Sequence, residues 1–384
     1  MDALKFLNGP VPVAWFQYFC GVRWKNKNPK NQIYPASVAG CSNNVGEKDR
    51  NFIITNKTIF ILAKAGSELA GEPFYYIFFP ACSWIFEITL SRRTLMMLTA
   101  SMYIGQSLKD VLKKPRPSSP PVIRMDEKYE TEYGMPSTHT MCGVTAPFSL
   151  LLVASKFYQM PLHQGIVLSG IWSSAVMISR VYLGMHSIME TCTGAILSII
   201  LLSLYPTVAW LDESLVHSSL VSWCVGAGSF LLSWVVFQLD ADIDQQTGLP
   251  RWNTARGDMA EILGWCAGFL IGSRQSVLSK TLMTHLSPTS QLQVLLPITE
   301  AGPSALRCLV RFTAGSSLLG PFGFMVRKLL LRFFVRVNGY QISDIKAAKR
   351  KPNVELPYKF LTTFLSGFVS TYVIPSILQY CNLW

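Results

Sequence analysis

Apolar blocks of about twenty residues constrain this chain more than any other feature of its sequence. Half of the 384 residues are hydrophobic and 15% are charged, whereas soluble domains carry about 25% charged residues. About twenty apolar residues are what a helix needs to cross roughly 30 Å of hydrocarbon. A chain in hydrocarbon must also satisfy its own backbone hydrogen bonds. The sequence therefore predicts an all-α polytopic membrane bundle of about eight to ten transmembrane helices.

The blocks divide the chain into three predicted segments. A polar, basic, cytosolic segment at 1–51 precedes a membrane core at 52–206, and additional transmembrane helices follow at 207–384. The region 304–337 is compatible with one long bent span or two short ones. The predicted spans lie at 52–70, 73–90, 94–112, 140–157, 165–180, 186–205, 219–239, 258–273, 304–337 and 357–380.

The charge of the chain indicates anionic partners at a membrane. The formal net charge is +12, and in a membrane protein basic loops set topology and meet anionic headgroups or an anionic substrate. Nucleic-acid binding is disfavoured because no basic soluble module is present. The nine cysteines are scattered and form no CxxC, which argues against a disulfide framework or a zinc site.

Basic residues also predict the orientation of the chain. The N-terminal segment and Ser91-Arg92-Arg93 should be cytosolic by the positive-inside rule, so that 52–70 must cross. The basic cluster from Lys109 to Arg116 then falls on the opposite, lumenal side, against that rule. Such an exception is better explained by function than by insertion.

The stretch SRVYLGMHSIME, at 179–190, concentrates ionisable groups between two apolar runs. Such groups are costly in a membrane and usually functional. On a helix that begins near His186, Glu190 lies on the same face and can accept the Nδ1–H of the histidine, which leaves Nε2 as a nucleophile or base. Arg180 can direct the N–H groups of its planar, positively charged guanidinium at an anion beside that histidine. The alternative is a snorkelling arginine and a core histidine.

Two upstream motifs fall at the same predicted membrane face. Lys109 and Arg116 frame KDVLKKPRP at the end of one span, and PSTH, with Ser137, Thr138 and His139, opens the next. Taken singly, the first pair could be interface anchors and PSTH a helix N-cap. The ordered combination with the stretch at 179–190 is far more specific than any one motif.

Together these groups predict a phosphate site. Lys109, Arg116 and Arg180 can form charge-assisted hydrogen bonds to phosphate oxygens, and the helix that begins at Ser137 and Thr138 offers backbone N–H donors. The motifs contain no cluster of carboxylates like that of a two-metal phosphatase. The predicted chemistry therefore needs no metal and no cofactor, because the cations do what metal ions do elsewhere.

The motifs resemble the type 2 phosphatidic acid phosphatase superfamily and, within it, the branch of sphingosine-1-phosphate phosphatases. The resemblance rests on KDVLKKPRPSSPPV, EYGMPSTHTM and SRVYLGMHSIME, with further support from WNTARGDMAEILG at 252–264 and VELPYKF at 354–360. It covers 50–273 well and the remainder loosely. It implies a six-helix catalytic core and hydrolysis of sphingosine 1-phosphate and its dihydro form at an endoplasmic reticulum membrane, with the site facing the lumen.

The resemblance also implies a role for each residue. Lys109, Arg116 and Arg180 bind the phosphate, His186 attacks phosphorus, and His139 protonates the leaving alkoxide. The threonine of PSTH fits the sphingosine-phosphate branch, whereas Glu190 stands where the family has aspartate. That departure leaves an impaired lipid-phosphate-binding relative as one alternative; a phosphatase or phosphotransferase of broader lipid specificity is another. The sequence leaves open whether the protein forms a homo-oligomer.

Overall fold

The computed structural model describes residues 2–25, 52–126, 132–158, 161–238, 254–286, 305–341, 345–349 and 351–381. Helices dominate these residues, which confirms the all-α prediction. The exception is a short antiparallel pair that the sequence analysis did not predict. Strand β1 (Val22–Trp24) pairs with β2 (Phe52–Ile54), with Val22 opposite Ile54. Most of the predicted basic N-terminal segment, from residue 26 to 51, lies outside the described residues.

The chain forms two compact units. One comprises Met1–Tyr75 and Ala100–Ser203, and the other Tyr76–Thr99 and Leu204–Trp384. The predicted boundaries at 51/52 and 206/207 stay a prediction. The helices are α1 (Asp2–Asn8), α2 (Pro10–Phe19), α3 (Lys57–Glu68), α4 (Glu72–Ile85), α5 (Ile88–Leu112), α6 (Thr138–Phe157), α7 (Leu162–Tyr182), α8 (Ile188–Leu202), α9 (Tyr205–His217), α10 (Ser219–Gln238), α11 (Thr254–Leu286), α12 (Ala305–Val337), α13 (Ile345–Ala348), α14 (Pro352–Phe368) and α15 (Ile374–Tyr380), with a π-helical turn at Val369–Val373.

Three described helices are long and apolar enough to cross a membrane: Thr138–Phe157, Leu162–Tyr182 and Pro352–Tyr380. A fourth results if α8 and α9 together form one span. The multi-pass prediction is thereby supported, while the count of eight to ten stays a prediction. The span predicted at 52–70 is wrong in extent, because α3 has only 12 residues, or about 18 Å at 1.5 Å per residue. The region 304–337, left open above, is a single helix, α12.

The first unit is built around α6 and α7. Helix α6 packs against both α7 and α8, while α2 and α3 pack on α7. Small residues permit this close packing: a Cβ on Gly143 would lie 2.7 Å from Val176, and one on Gly194 would lie 2.7 Å from the Ser137 carbonyl oxygen. Small residues are what membrane helices use where their backbones approach. The packing brings the N-termini of α6 and α8 together.

A buried glutamine of α2 joins a loop to the end of α7 in the first unit. The side-chain amide of Gln17 donates to the carbonyls of Ile123 (2.7 Å) and Tyr182 (2.9 Å), and its oxygen accepts from the Ile123 amide at 2.9 Å. A further backbone bond runs from the Met125 amide to the Leu183 carbonyl at 3.1 Å. The segment at 122–126 is therefore held alongside the end of α7.

In the second unit, α11 and α14 are the most closely packed pair of helices. A Cβ on Gly264, Gly268 or Gly272 would meet the backbone or side chains of 360–371 at 2.5 Å or less. Most of the motif at 252–264 lies in α11, and the motif at 354–360 lies in α14. Lys359 lies 3.6 Å from Asp258, 3.5 Å from Glu261 and 3.3 Å from Glu355, so these four charged residues of the two motifs form one group.

Two arginines have a different setting from the one predicted. Arg92 and Arg93 were expected to close a span on the cytosolic side, but they lie within α5 and are buried, 4% and 8% exposed. Arg92 Nε lies 2.7 Å and Arg93 Nε 2.9 Å from the Asp212 carboxylate. Since a buried ion pair explains both cations, they are weak markers of topology.

Candidate active site

The turn between α7 and α8 places the first two site residues. Gly184 adopts φ +69°, the left-handed conformation that glycine accepts most readily. Helix α7 ends there in a Schellman motif: the Gly184 amide donates to the Val181 carbonyl (3.0 Å) and the Met185 amide to the Arg180 carbonyl (3.1 Å). A Cβ on Gly184 would lie 2.3 Å from the Ile123 carbonyl oxygen. Glycine at this position thus brings Arg180, in the last turn of α7, close to His186.

His186 is buried, and its ring has a defined tautomer. Nδ1 lies 2.8 Å from the Gly134 carbonyl oxygen and 3.2 Å from Oε2 of Glu190. Since a carbonyl can only accept, Nδ1 carries the proton and donates it. The lone pair is then on Nε2, which accepts from the Nη1–H of Arg116 at 3.1 Å. The arrangement has the tautomer that nucleophilic attack through Nε2 requires.

Glu190 occupies the position expected from the i, i+4 spacing, and it does more than face the histidine. Its Oε2 accepts from the Ser187 amide at 3.0 Å, while the Ser187 hydroxyl accepts from the Glu190 amide at 3.2 Å. This capping box fixes the N-terminus of α8. The shorter Nδ1 contact belongs to Gly134, so the tautomer of His186 is set by a backbone carbonyl as well as by the carboxylate.

Lys109 and Arg116 are both buried beside the histidine. Lys109 Nζ donates to the Thr138 hydroxyl at 3.1 Å and to Oε2 of Glu132 at 2.8 Å. Arg116 donates to the carbonyls of Glu132 (3.0 Å) and Met185 (2.8 Å), and its Nη2 lies 3.8 Å from the Glu132 carboxylate. Lys109 and Arg116 thus share one carboxylate.

Arg180 is completely buried. Its Nη1 donates to the Ser67 hydroxyl at 2.7 Å and lies 3.7 Å from Oδ2 of Asp126. The Asp126 side chain is 26% exposed, in contrast to the Glu132 side chain, which is 3% exposed. The three predicted phosphate cations therefore each lie beside an acidic residue of the loop between α5 and α6.

The PSTH motif begins α6 at the same site. The Ser137 hydroxyl accepts from the Thr140 amide at 3.4 Å and from the Thr140 hydroxyl at 3.0 Å, so it serves as the N-cap that the alternative interpretation proposed. The Ser137 amide donates to the Glu190 carbonyl at 3.2 Å, which couples the starts of α6 and α8. His139 is half-buried on the first turn.

The charges around His186 are mainly positive. The pKa of His186 lies well below its ordinary value of 6.5, first because burial disfavours the charged ring. The charges of Arg116, Arg180, Lys109 and His139, in that order, lower it further. The imidazole is consequently neutral at physiological pH, and its surroundings favour an anion.

Several contributors to the site are not predicted from the sequence, among them Asp126, Glu132, the Gly134 carbonyl and Gln17. The two acids stand in a charged loop that reads as solvated surface, although pairing with the buried cations of KDVLKKPRP could have been anticipated from charge balance. A backbone carbonyl has no sequence signature. A Cβ on Gly134 would lie 2.7 Å from Oε1 of Glu190, so the close approach to the carboxylate is what requires glycine there.

Residues 91–213 match the PAP2 superfamily, and the helical fold and the site assembled from its motifs make the chain a membrane phosphatase of that superfamily. Mouse sphingosine-1-phosphate phosphatase 1 is 32% identical over 88% of this chain and 76% of its own length. Mouse sphingosine-1-phosphate phosphatase 2 is 30% identical over 100% and 99%. The chain belongs to the sphingosine-1-phosphate phosphatase family.

Other relatives match a smaller share of the chain. A dihydrosphingosine 1-phosphate phosphatase of Schizosaccharomyces pombe is 30% identical over 35% of this chain and 34% of its own length. No solved structure matches the chain.

Proposed function

We propose that the protein hydrolyses sphingosine 1-phosphate and dihydrosphingosine 1-phosphate to the sphingoid base and phosphate, through a phosphohistidine intermediate. The observation that carries this proposal is the Nε2 lone pair of His186, 3.1 Å from Arg116, with Nδ1–H bonded to Gly134 and Glu190. The relatives include both a sphingosine-1-phosphate phosphatase and a dihydrosphingosine 1-phosphate phosphatase, and their substrates support this substrate class.

In the first step, Nε2 of His186 attacks phosphorus and the P–O bond to the sphingoid chain breaks. His139, in its protonated form, gives its proton to the departing alkoxide oxygen. Lys109, Arg116 and Arg180 stabilise the negative charge on the phosphoryl oxygens. The phosphorylated imidazole is cationic, and Glu190 and the Gly134 carbonyl stabilise it through Nδ1–H.

In the second step, water attacks phosphorus and the P–N bond breaks. His139, now neutral, accepts a proton from the attacking water, which restores both histidines and releases phosphate. Ser137 and Thr138 contribute by fixing the start of α6 beside the phosphate, and the Thr138 hydroxyl orients Lys109.

The decisive test is phosphoenzyme formation by the purified protein. Sphingosine 1-phosphate carrying labelled phosphate should transfer the label to the protein, and His186→Ala should abolish both labelling and phosphate release. Labelling that persists in His186→Ala would refute the nucleophile assignment. Phosphatidic acid as a competitor separates this function from that of a broader lipid phosphatase, because a selective enzyme would be inhibited weakly.

The reaction should need no metal ion. Among the residues that the structure describes, the carboxylates near His186 pair with cations or with the histidine itself, as Glu132 does with Lys109 at 2.8 Å, and do not surround an open position suited to a divalent ion. Activity should survive EDTA without added magnesium. Complete loss in chelator, restored by magnesium, would contradict the proposal.

The proposed location is the endoplasmic reticulum membrane, with the site on the lumenal side. It rests on the predicted positions of the motifs at the same ends of alternate spans. A cysteine introduced into the loop at 118–132 should be shielded from an impermeant reagent added to intact microsomes. Labelling from the cytosolic side would contradict the orientation.

A further inference from the structure

The acidic residues beside the phosphate cations differ in how firmly they are held. Glu132 is 3% exposed and lies 2.8 Å from Lys109, whereas Asp126 is 26% exposed and lies 3.7 Å from Arg180. The second separation is too long for a strong hydrogen bond, and a partly exposed ion pair contributes little stability. Asp126 is therefore the acid that can most easily exchange its partner.

The backbone that carries Asp126 is nonetheless well anchored at the site. Its neighbour Met125 donates to the Leu183 carbonyl at 3.1 Å, and Ile123 is held by Gln17 through two hydrogen bonds. The carboxylate thus stands at the solvent-accessible edge of a fixed segment, next to an arginine proposed to bind phosphate.

Binding of a phosphate monoester changes the charge balance there. Once Arg180 turns its N–H groups to the phosphoryl oxygens, Asp126 loses part of its counter-charge beside a new dianion. Two anions at close range repel each other. A cation supplied by the substrate would remove this penalty.

A sphingoid phosphate carries such a cation. Its ammonium group is on the carbon next to the one that bears the phosphate ester, so the nitrogen lies four bonds from phosphorus. A glycerol-based lipid phosphate has an ester or hydroxyl oxygen at the corresponding position and no positive charge.

Resting on the proposed function, we propose that Asp126 binds the substrate ammonium group and so selects aminolipid phosphates over lipid phosphates that lack the amine. Arg180 passes from Asp126 to the phosphate, and the ammonium takes its place at Asp126. The exchange leaves both ions of the substrate paired.

The test compares two substrates of equal chain length, sphingosine 1-phosphate and its analogue without the amino group. The quantity measured is the ratio of their kcat/KM values. In the wild-type protein the ratio should favour the amine, and Asp126→Asn should lower it about 10-fold to 100-fold, the worth of a charge-assisted hydrogen bond. Hydrolysis of the analogue should continue, and Asp126→Glu should recover part of the preference.

Glu132→Gln is the matched control, because it also removes a carboxylate beside a proposed phosphate cation. It should change the kcat/KM of both substrates by the same factor. An unchanged ratio in Asp126→Asn would overturn the proposal. Equal loss of both substrates would also do so, since Asp126 would then merely position Arg180. A wild-type protein that shows no preference refutes amine recognition, whereas one that hydrolyses neither substrate refutes the proposed function itself.

Discussion

Glu190→Gln separates two functions that the structure assigns to one carboxylate. Glutamine retains an oxygen that can accept from the Ser187 amide, and so preserves the capping box, but it removes the negative charge 3.2 Å from Nδ1 of His186. The Gly134 carbonyl, at 2.8 Å, still accepts the Nδ1–H. The ring should therefore keep its tautomer and lose part of the stabilisation of its cationic, phosphorylated form.

The expected loss follows from one charge-assisted hydrogen bond. Such bonds contribute about 1.5–3 kcal/mol, and each 1.36 kcal/mol is a factor of ten in rate. The kcat of Glu190→Gln should accordingly fall about 10-fold to 150-fold. A much greater loss, about 10⁴-fold, is known where the removed carboxylate alone selects the tautomer of a catalytic histidine.

The assay is phosphate release from sphingosine 1-phosphate at saturation, with phosphoenzyme formation measured in parallel. Ser187→Ala is the control for capping, because it removes the hydroxyl that accepts from the Glu190 amide and should lower the free energy of unfolding by about 1 kcal/mol with little change in kcat. A loss near 10⁴-fold in Glu190→Gln would show that the Gly134 carbonyl does not hold the tautomer. Wild-type kcat would show that Glu190 is only a cap.

Three further outcomes are expected. His139→Ala should slow release of the sphingoid alkoxide by about 10²–10⁴-fold but affect a nitrophenyl phosphate much less, and equal losses would refute a proton-donor role. Gly184→Ala should lower the free energy of unfolding by about 2 kcal/mol or more, because φ is positive there and the added Cβ would collide with Ile123. Thermal unfolding in detergent would show this loss. The control is Gly170→Ala, where the added Cβ meets nothing within 4 Å. Because the pKa of His186 lies well below 6.5, its neutral form persists as the pH falls through 6.5, and the acid limb that reports it in the pH profile of phosphoenzyme formation should lie below that value. An acid limb at pH 6.5 or above in that profile would contradict this.

The sequence predicts which helix ends meet at the site better than it predicts the hydrogen bonds and ion pairs inside the site. The placement of motifs at successive helix ends was enough to expect Lys109 and Thr138 at one site, because helix length and alternation fix which ends meet. Hydrogen bonds of the backbone, such as that from His186 to Gly134, depend on the path of a loop and leave no pattern in the sequence. The pairing of Arg92 with Asp212 is not predicted for a related reason. Hydropathy scores each residue by itself, so it does not show that a charge is neutralised by a partner far away in the sequence.

Gln17 bears on where the functional module of this superfamily ends. The matched segment, 91–213, contains the three cations and both histidines, yet Gln17 joins Ile123 to the end of α7 from outside it, and Ser67 bonds Arg180 from outside it as well. Expressed alone, that segment would lose the hydrogen bonds that hold the loop around Ile123 against the end of α7. The matched segment is thus not sufficient by itself to form the site, and a design that moves the site into another scaffold must include α2 and α3.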